Sequence, residues 1–268
     1  MSAKLLSAKL APEAGRGYYR YAMDSYDTDT IAANLGRIRE GIAEAATKAG
    51  RNPYEVALMA VSKFHPAEAV SAAYAAGIRL FGENRVQEAA AKFPPLAGAL
   101  EGIQLHMIGT LQSNKINKAV GLFDGIQSVD SCEQLKQLLS RVRIRTTPIR
   151  LYFELHTGED SKSGFPDEDS LFGACDAFAE WREEARNRGE STFAELAGLM
   201  TMAPFTADEA RVRASFSKLR KTLAKARSRS GIETLRELSM GMSGDYAIAV
   251  EEGSTMLRIG TALFGARP

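Results

Sequence analysis

The sequence predicts a single (β/α)8 barrel, an α/β fold in which eight parallel strands alternate with helices and close into a cylinder. Two observations predict it. Short apolar runs alternate with helical patterns from about residue 30 onward, which is typical of right-handed βαβ units and a parallel sheet. Eight such runs in about 240 residues also match the strand number and length of this barrel.

A doubly wound open sheet is the competing fold, because strand number alone does not separate the two. The barrel is favoured since the alternation has no long insertion that would cap a sheet edge. We expect residues 1–29, which lack helical or strand periodicity, to form a flexible extension. Residues 30–268 are then the barrel, and we expect no second domain, because the eight predicted strands and their helices account for this whole range.

Each element is predicted from its own pattern. An amphipathic helix over Thr30–Ala49 opens the barrel region and ends at Gly50. The strands are the short apolar runs, which cover residues 56–62, 78–82, 103–109, 125–129, 149–156, 195–202, 235–240 and 255–260. The helices between them have a period of about 3.6 residues and cover residues 66–76, 84–92, 113–120, 131–143, 168–187, 207–229 and 244–252.

Composition excludes several functional classes. The formal net charge of +1 gives no sign of a nucleic-acid or membrane-surface partner. No apolar run is long enough to span a membrane, and no secretory signal is apparent. Two distant cysteines and three scattered histidines form no metal-ligand pattern. We therefore expect a cytoplasmic protein without a metal, and a monomer rather than a dimer.

Lys63 is the most informative residue, because it ends the apolar strand 56–62. Burial of an unpaired ammonium is unfavourable, so a lysine at this place either extends to solvent or serves as an amine of lowered pKa. Such an amine is the usual nucleophile for a Schiff base with a carbonyl compound. In a barrel, ligands bind at the carboxyl ends of the strands, where Lys63 is expected.

The last two strand ends are suited to a phosphate group. Ser239, Ser243, Gly260 and Thr261 bring hydroxyls and backbone amides to turns that open helices, and helix amino termini favour anions. Ser243 before Gly244-Asp245 is equally suited to an ordinary helix cap. A phosphate at this place agrees with the loops that barrels commonly use for it.

A reactive lysine opposite a phosphate site, with Arg258 near by, fits pyridoxal 5′-phosphate. A Schiff-base aldolase or a phosphosugar isomerase remains an alternative. An isomerase requires a carboxylate base at a strand end. Glu83 is the better candidate for that base, and Glu154 is the weaker one because its side chain is expected inside the barrel.

The chain resembles the pyridoxal phosphate homeostasis proteins over about residues 30–268. The resemblance is carried by several separate motifs in the same order: Ala60-Val61-Ser62-Lys63, Phe81-Gly82-Glu83-Asn84, His106-Met107-Ile108-Gly109, Leu111-Gln112-Ser113-Asn114-Lys115, Ser161-Lys162-Ser163-Gly164, Gly198-Leu199-Met200, Leu238-Ser239-Met240-Gly241-Met242-Ser243 and Arg258-Ile259-Gly260-Thr261. The resemblance implies a fold-type III barrel, similar to the barrel domain of alanine racemase, with a Schiff base between Lys63 and the cofactor.

The resemblance also implies the remaining cofactor contacts. Arg258 would face the pyridine nitrogen and keep it unprotonated, which weakens carbanion chemistry. The other implied cofactor-binding residues are Asn84, Met200, Ser239, Met242, Ser243, Gly260 and Thr261. Lys115 and Lys162 are candidates for a second cofactor site, and a solvated loop is the alternative for both.

The expected function is to buffer and deliver pyridoxal phosphate inside the cell, with PLP-dependent apo-enzymes as recipients and without catalysis. Racemisation needs an acid–base group on each face of the cofactor, and the related racemases take one of these, a tyrosine, from a second domain. An amino-acid racemase-like enzyme is the alternative function. A protein-interaction module without a cofactor is a third class.

Overall fold

The computed structural model describes residues 26–96, 98–158 and 163–266, and these residues form the closed parallel barrel that the sequence predicts. Each strand pairs with the strands before and after it in the chain, and β8 closes the cylinder by pairing with β1 in parallel. The strands are β1 (Ala57–Val61), β2 (Leu80–Glu83), β3 (Gln104–Met107), β4 (Gly125–Val129), β5 (Ile149–Glu154), β6 (Ala194–Met200), β7 (Glu237–Ser239) and β8 (Met256–Ile259).

Helices surround this barrel. They are α1 (Thr28–Lys48), α2 (Ala67–Ala75), α3 (Val86–Lys92), α4 (Ile116–Leu122), α5 (Cys132–Leu139), α6 (Glu168–Asn187), α7 (Glu209–Ser230), α8 (Tyr246–Glu251) and α9 (Thr261–Phe264). Each lies where a helical pattern is predicted, except for the short α9, which the sequence analysis assigned to no element. The prediction for α6 is correct at both ends.

Helix α1 begins two residues before its predicted start, which corrects the predicted boundary of the extension. Asp27 caps the helix, because its carboxylate accepts a hydrogen bond from the Thr30 backbone amide at 3.1 Å. Just before the cap, the Tyr26 hydroxyl lies 2.8 Å from Nδ1 of His65, in the loop after β1. Residues 28 and 29 therefore belong to the barrel, while the predicted extension over residues 1–25 lies outside the described residues.

Most predicted strands extend one or two residues beyond the observed ones. The apolar run 235–240 shows why: Leu235 is fully buried, yet its amide donates to the Ile232 carbonyl in a turn. Apolar burial continues past the ladder of paired strands, so the composition of a run does not mark where pairing ends. The predicted helix 113–120 divides similarly into a 3-10 turn, Ser113–Lys115, and α4.

Side chains fill the barrel, so its interior is not a pore. An inner layer contains Met59, Tyr152, Ala197, Met200 and Met256, all nearly inaccessible to solvent. A larger apolar layer packs between the strands and the surrounding helices. The packed interior leaves the carboxyl ends of the strands as the place for a ligand.

Two glycines make room for this interior. A Cβ atom at Gly82 would lie 2.6 Å from Sδ of Met59, and one at Gly125 would lie 2.6 Å from the His106 ring. Such distances are far below van der Waals contact. A Cβ atom at either position would therefore displace a large side chain of the neighbouring strand.

The basic surface of α7 is paired with acidic groups. Arg213 contacts Glu251 and Glu252, and further along the helix Lys225 contacts Glu168 at 2.7 Å. These positive charges are therefore used in intramolecular ion pairs. Within the described part of the chain, the longest helices are too polar to pass through a lipid bilayer.

Candidate functional site

A cavity of about 590 Å³ opens at the carboxyl ends of the strands, as the fold predicts. It collects residues from the loops after β1, β2, β6, β7 and β8. The predicted site residues that line it are Lys63, Asn84, Met242, Ser243, Arg258, Gly260 and Thr261. Its volume lies within the range of about 300–1,000 Å³ that small-molecule sites occupy.

Lys63 reaches this cavity from a turn with unusual backbone geometry. The residue after it, Phe64, has φ of 67°, in the left-handed region that bulky side chains rarely adopt. The Phe64 amide donates to the Glu88 carboxylate at 2.7 Å, which helps to hold this conformation. Lys63 itself is only partly exposed and lines the cavity.

Arg258 supplies a fixed positive charge. Its guanidinium donates to the backbone carbonyls of Ser239 at 2.6 Å and Thr201 at 2.7 Å, and to the Ser239 hydroxyl at 2.8 Å. Burial lowers the pKa of Arg258 to about 10, and nearby Glu154 and Asp245 oppose that effect. The guanidinium is therefore protonated at neutral pH and held in one orientation.

The turns after β7 and β8 meet at one end of the cavity. The Ser243 hydroxyl accepts a hydrogen bond from the Ala262 amide at 3.1 Å, which ties the two turns together and leaves the hydroxyl proton available to a ligand. Thr261 begins α9 and is exposed in the cavity wall. The Met242 amide donates to the Asp245 carboxylate at 2.6 Å, so this amide already has an acceptor.

Asn84 carries an unsatisfied buried atom. Its Oδ1 has no hydrogen-bond partner among the described residues, although the side chain lines the cavity. Buried polar atoms nearly always have a partner, so an orphaned acceptor in a cavity wall indicates a missing donor from a ligand or water. Gly109 packs against the Asn84 backbone, since a Cβ atom there would lie 2.4 Å from the Asn84 carbonyl oxygen.

Two predicted residues do not reach the cavity. Met200 belongs to the inner layer of the barrel, and Ser239 is fully buried beneath Arg258. The Ser239 hydroxyl donates to Oε1 of Gln127 at 2.6 Å while it accepts from Arg258. Both residues end strands whose side chains alternate between two faces, and both side chains here point inward. Neither residue lines the cavity, and their predicted contact with a ligand stays a prediction.

The carboxylates proposed for an isomerase lie elsewhere. Glu83 is fully buried beside Lys92, and Glu154 is buried and accepts a hydrogen bond from Ser163 at 2.8 Å. Neither lines the cavity. This placement removes the observation on which the isomerase alternative depended.

Of the two lysines that are candidates for a second cofactor site, one lies among the described residues. Lys115 lines a separate cavity of about 680 Å³ together with Phe64, Asn84 and Arg85. Lys162 lies outside the described residues. Asn84 is thus the side chain that the neighbouring cavities share.

Sequence reasoning missed part of the cavity wall. The segment after β6 contributes Ala203 to Ala207, with a fully exposed Phe205, and Glu209 follows at the start of α7. Gln127 was also missed, although a glutamine inside the apolar run of β4 is a detectable signal of an interior hydrogen bond.

Known proteins are similar to this chain over most of its length. The alanine racemase N-terminal domain family matches residues 33–268. The pyridoxal phosphate homeostasis protein of Pseudomonas aeruginosa is 41% identical over 239 residues, which cover 89% of this chain and 96% of that protein. The protein of the same name from Escherichia coli K12 is 37% identical over 242 residues, with 88% and 97% coverage. The chain belongs to the pyridoxal phosphate homeostasis protein family.

The chain is also similar in fold to solved structures. PipY of Synechococcus elongatus, solved both with and without PLP, is 37% identical, has a TM-score of 0.75 and is covered over its whole length. Alanine racemase from Corynebacterium glutamicum is 20% identical with a TM-score of 0.62, and 62% of that chain is covered. At that identity the racemase shows a shared barrel and nothing further.

Proposed function

We propose that this protein binds pyridoxal 5′-phosphate in the cavity at the carboxyl ends of its strands and holds it in reserve through Lys63. Residues from neighbouring strand ends of the barrel line one cavity, with Lys63 just after β1 and Ser243, Gly260 and Thr261 on the turns after β7 and β8. This juxtaposition of an amine with a hydroxyl-rich turn is the observation that carries the proposal. PipY, at 37% identity, has been solved with PLP bound.

The residues fit such a ligand chemically. The orphaned Oδ1 of Asn84 needs a donor, and the ring hydroxyl of the cofactor is one. The Ser243 hydroxyl can donate to a phosphate oxygen, because its acceptor role is already taken by the Ala262 amide. The cofactor supplies an aldehyde that condenses with a primary amine with loss of water. Lys63 is the amine that we assign to it.

Arg258 sets the electrostatics of the cavity. Its buried guanidinium keeps its proton at neutral pH, since its pKa is about 10. A fixed cation of this kind disfavours protonation of a basic nitrogen near by. Arg258 therefore suppresses the electron-withdrawing form of a pyridine ring, which is the form that activates carbon acids.

We infer that the protein has no robust catalysis of its own. Abstraction and return of a proton on opposite faces requires two acid–base groups. Besides Lys63 and Arg258, the ionisable groups that line the cavity among the described residues are Glu209 and Asp245. The Asp245 carboxylate accepts a hydrogen bond from the Met242 amide at 2.6 Å, and it belongs to the turn that we assign to the phosphate. Apo-enzymes that require the cofactor are the proposed recipients.

The test is covalent labelling of Lys63. Wild-type protein incubated with PLP and then reduced with borohydride should carry the label on Lys63, as found by peptide mass spectrometry, and should lose its visible absorption band. Lys63→Ala should abolish both signals. Lys115→Ala is the matched control, since Lys115 lines the adjacent cavity, and it should keep both. Labelling of Lys115 in the wild type, with Lys63 unmodified, would contradict the assignment.

The racemase-like alternative has its own test. It expects exchange of the α-hydrogen of an amino acid in deuterated water. Wild-type protein loaded with PLP should show no exchange above that of free PLP over a broad panel of L- and D-amino acids. Exchange at a rate well above this background, lost in Lys63→Ala, would assign the protein to the enzymes.

A further inference from the structure

A buried ionic cluster contacts the two residues that flank Lys63 in the chain and lies outside the cavity. It consists of Ser62, Glu83, Glu88 and Lys92. The Lys92 ammonium donates to the Ser62 carbonyl at 2.8 Å and lies 2.7 Å from Oε1 of Glu83 and 3.0 Å from Oε1 of Glu88. The Ser62 hydroxyl donates to Oε1 of Glu83 at 2.7 Å.

This cluster holds the backbone on both sides of Lys63. On one side, Ser62 is bound through its carbonyl to Lys92 and through its hydroxyl to Glu83. On the other side, the Phe64 amide donates to Oε1 of Glu88 at 2.7 Å, the same oxygen that accepts from Lys92. Two of the three residues Ser62, Lys63 and Phe64 are thus tied to one buried ion network, and the residue between them carries the amine.

The turn needs such a restraint. A bulky residue at φ of 67° is in a sparsely populated conformation that is unfavourable when nothing compensates. Strained residues of this kind persist where the surroundings over-determine them, and they concentrate at functional sites. Glu88 supplies the restraint at Phe64, because its carboxylate accepts the amide of the strained residue itself.

Stability alone is a weak reason for a buried cluster. Replacing a buried ion network with apolar side chains of similar volume is often neutral or stabilising. None of Ser62, Glu83, Glu88 and Lys92 lines the cavity, so direct ligand contact does not account for them either. What the cluster does in this structure is fix two backbone groups beside Lys63.

We propose that Glu88, acting with Lys92, is a positioning residue that fixes the amine of Lys63 and thereby sets how long the cofactor is held. The inference rests on the proposed function, because it requires that Lys63 binds the cofactor. Glu88 is the residue of the cluster whose substitution should disturb the protein interior least. Its side chain is 24% exposed, whereas that of Glu83 is inaccessible.

The experiment measures cofactor release. Wild type, Glu88→Ala, Glu88→Gln and Glu133→Ala are loaded with PLP and mixed with excess alkaline phosphatase, which consumes free PLP, while the visible band is followed. Glu133 is the matched control, since it is an exposed helix glutamate that accepts a hydrogen bond from Gln137, four residues further on, and it lines neither of the two cavities. Thermal unfolding of each apo-protein is measured in parallel.

Glu88→Ala should release PLP about tenfold faster than wild type, a change that corresponds to ~1.4 kcal/mol. Glu88→Gln should be intermediate, because its amide oxygen still accepts from the Phe64 amide but lacks the charge that pairs with Lys92. Glu133→Ala should match wild type. The apo-protein of Glu88→Ala should remain folded at the assay temperature.

Two results would overturn the inference. The first is release from Glu88→Ala at the wild-type rate. The second is faster release that Glu88→Gln does not moderate and that only follows loss of the folded apo-protein, which is the mark of a purely structural role. Failure of the proposed function is distinguishable, since wild type would then show no band and no label on Lys63 before any Glu88 variant is compared.

Discussion

Replacement of Lys92 with methionine should destabilise the protein by about 3 kcal/mol. Methionine has a side chain of similar length but lacks the buried ammonium. The Glu83 carboxylate then keeps the Ser62 hydroxyl as its remaining donor. Loss of one partner from a buried ion pair costs about 3–5 kcal/mol, because an uncompensated charge remains. The lower end applies here, since Ser62 continues to donate and Glu88 is partly exposed.

The destabilisation should depend on pH with a defined sign. Burial raises the pKa of the Glu83 carboxyl, while the Lys92 and Ser62 contacts partly oppose that rise. Without Lys92 the folded-state pKa rises further. Between the unfolded and folded pKa values, the folded state then binds more protons than the unfolded state, so stability falls as pH rises. The destabilisation caused by Lys92→Met is therefore largest above the folded-state pKa of Glu83. It decreases as the pH falls toward the unfolded-state pKa of 4.5.

The assay is urea unfolding of the apo-proteins at neutral and mildly acidic pH. Lys48→Met is the matched control: Lys48 pairs with Glu251 at 2.6 Å but its side chain is 71% exposed, and exposed pairs contribute about 0–1 kcal/mol. The double variant Glu83→Gln/Lys92→Met should recover at least about 1 kcal/mol, because a neutral amide replaces the unpaired charge. Equal costs for Lys92→Met and Lys48→Met, or no recovery in the double variant, would refute the reasoning.

Two further predictions concern single residues of the site. At Phe64, glycine should be more stable than alanine by about 1 kcal/mol in urea unfolding, since the left-handed conformation costs L-residues about 1–2 kcal/mol; alanine as the more stable variant would show that the turn relaxes. At Ser239, alanine should reduce stability by about 1–3 kcal/mol, because Gln127 loses its buried donor. If Ser239 contacted a phosphate directly, Ser239→Ala would weaken PLP binding as strongly as Ser243→Ala, and we expect a smaller loss.

The barrel was predictable because every strand is a short apolar run and the carboxyl ends of parallel strands meet at one end. The sequence alone therefore predicts that Lys63, Ser243 and Arg258 lie together. The inward side chains of Met200 and Ser239 could not be placed, since strands buried on both faces lack a clean alternation of apolar and polar residues. Lys92 was equally hidden, because its position in a short helix resembles that of an ordinary solvated lysine.

Two buried cations, Lys92 and Arg258, both donate to backbone carbonyls at strand ends, which the sequence did not predict. A backbone carbonyl has two lone pairs, so one at a strand end can accept from a side chain as well as from the backbone. Lys92 donates to the Ser62 carbonyl after β1, while Arg258 donates to the carbonyls of Ser239 and Thr201 at the ends of β7 and β6. These donors restrain the backbone at strand ends of the barrel mouth, and Ser62 is the residue directly before Lys63. Under the proposed function, such restraint keeps the Lys63 amine in place beside the ligand.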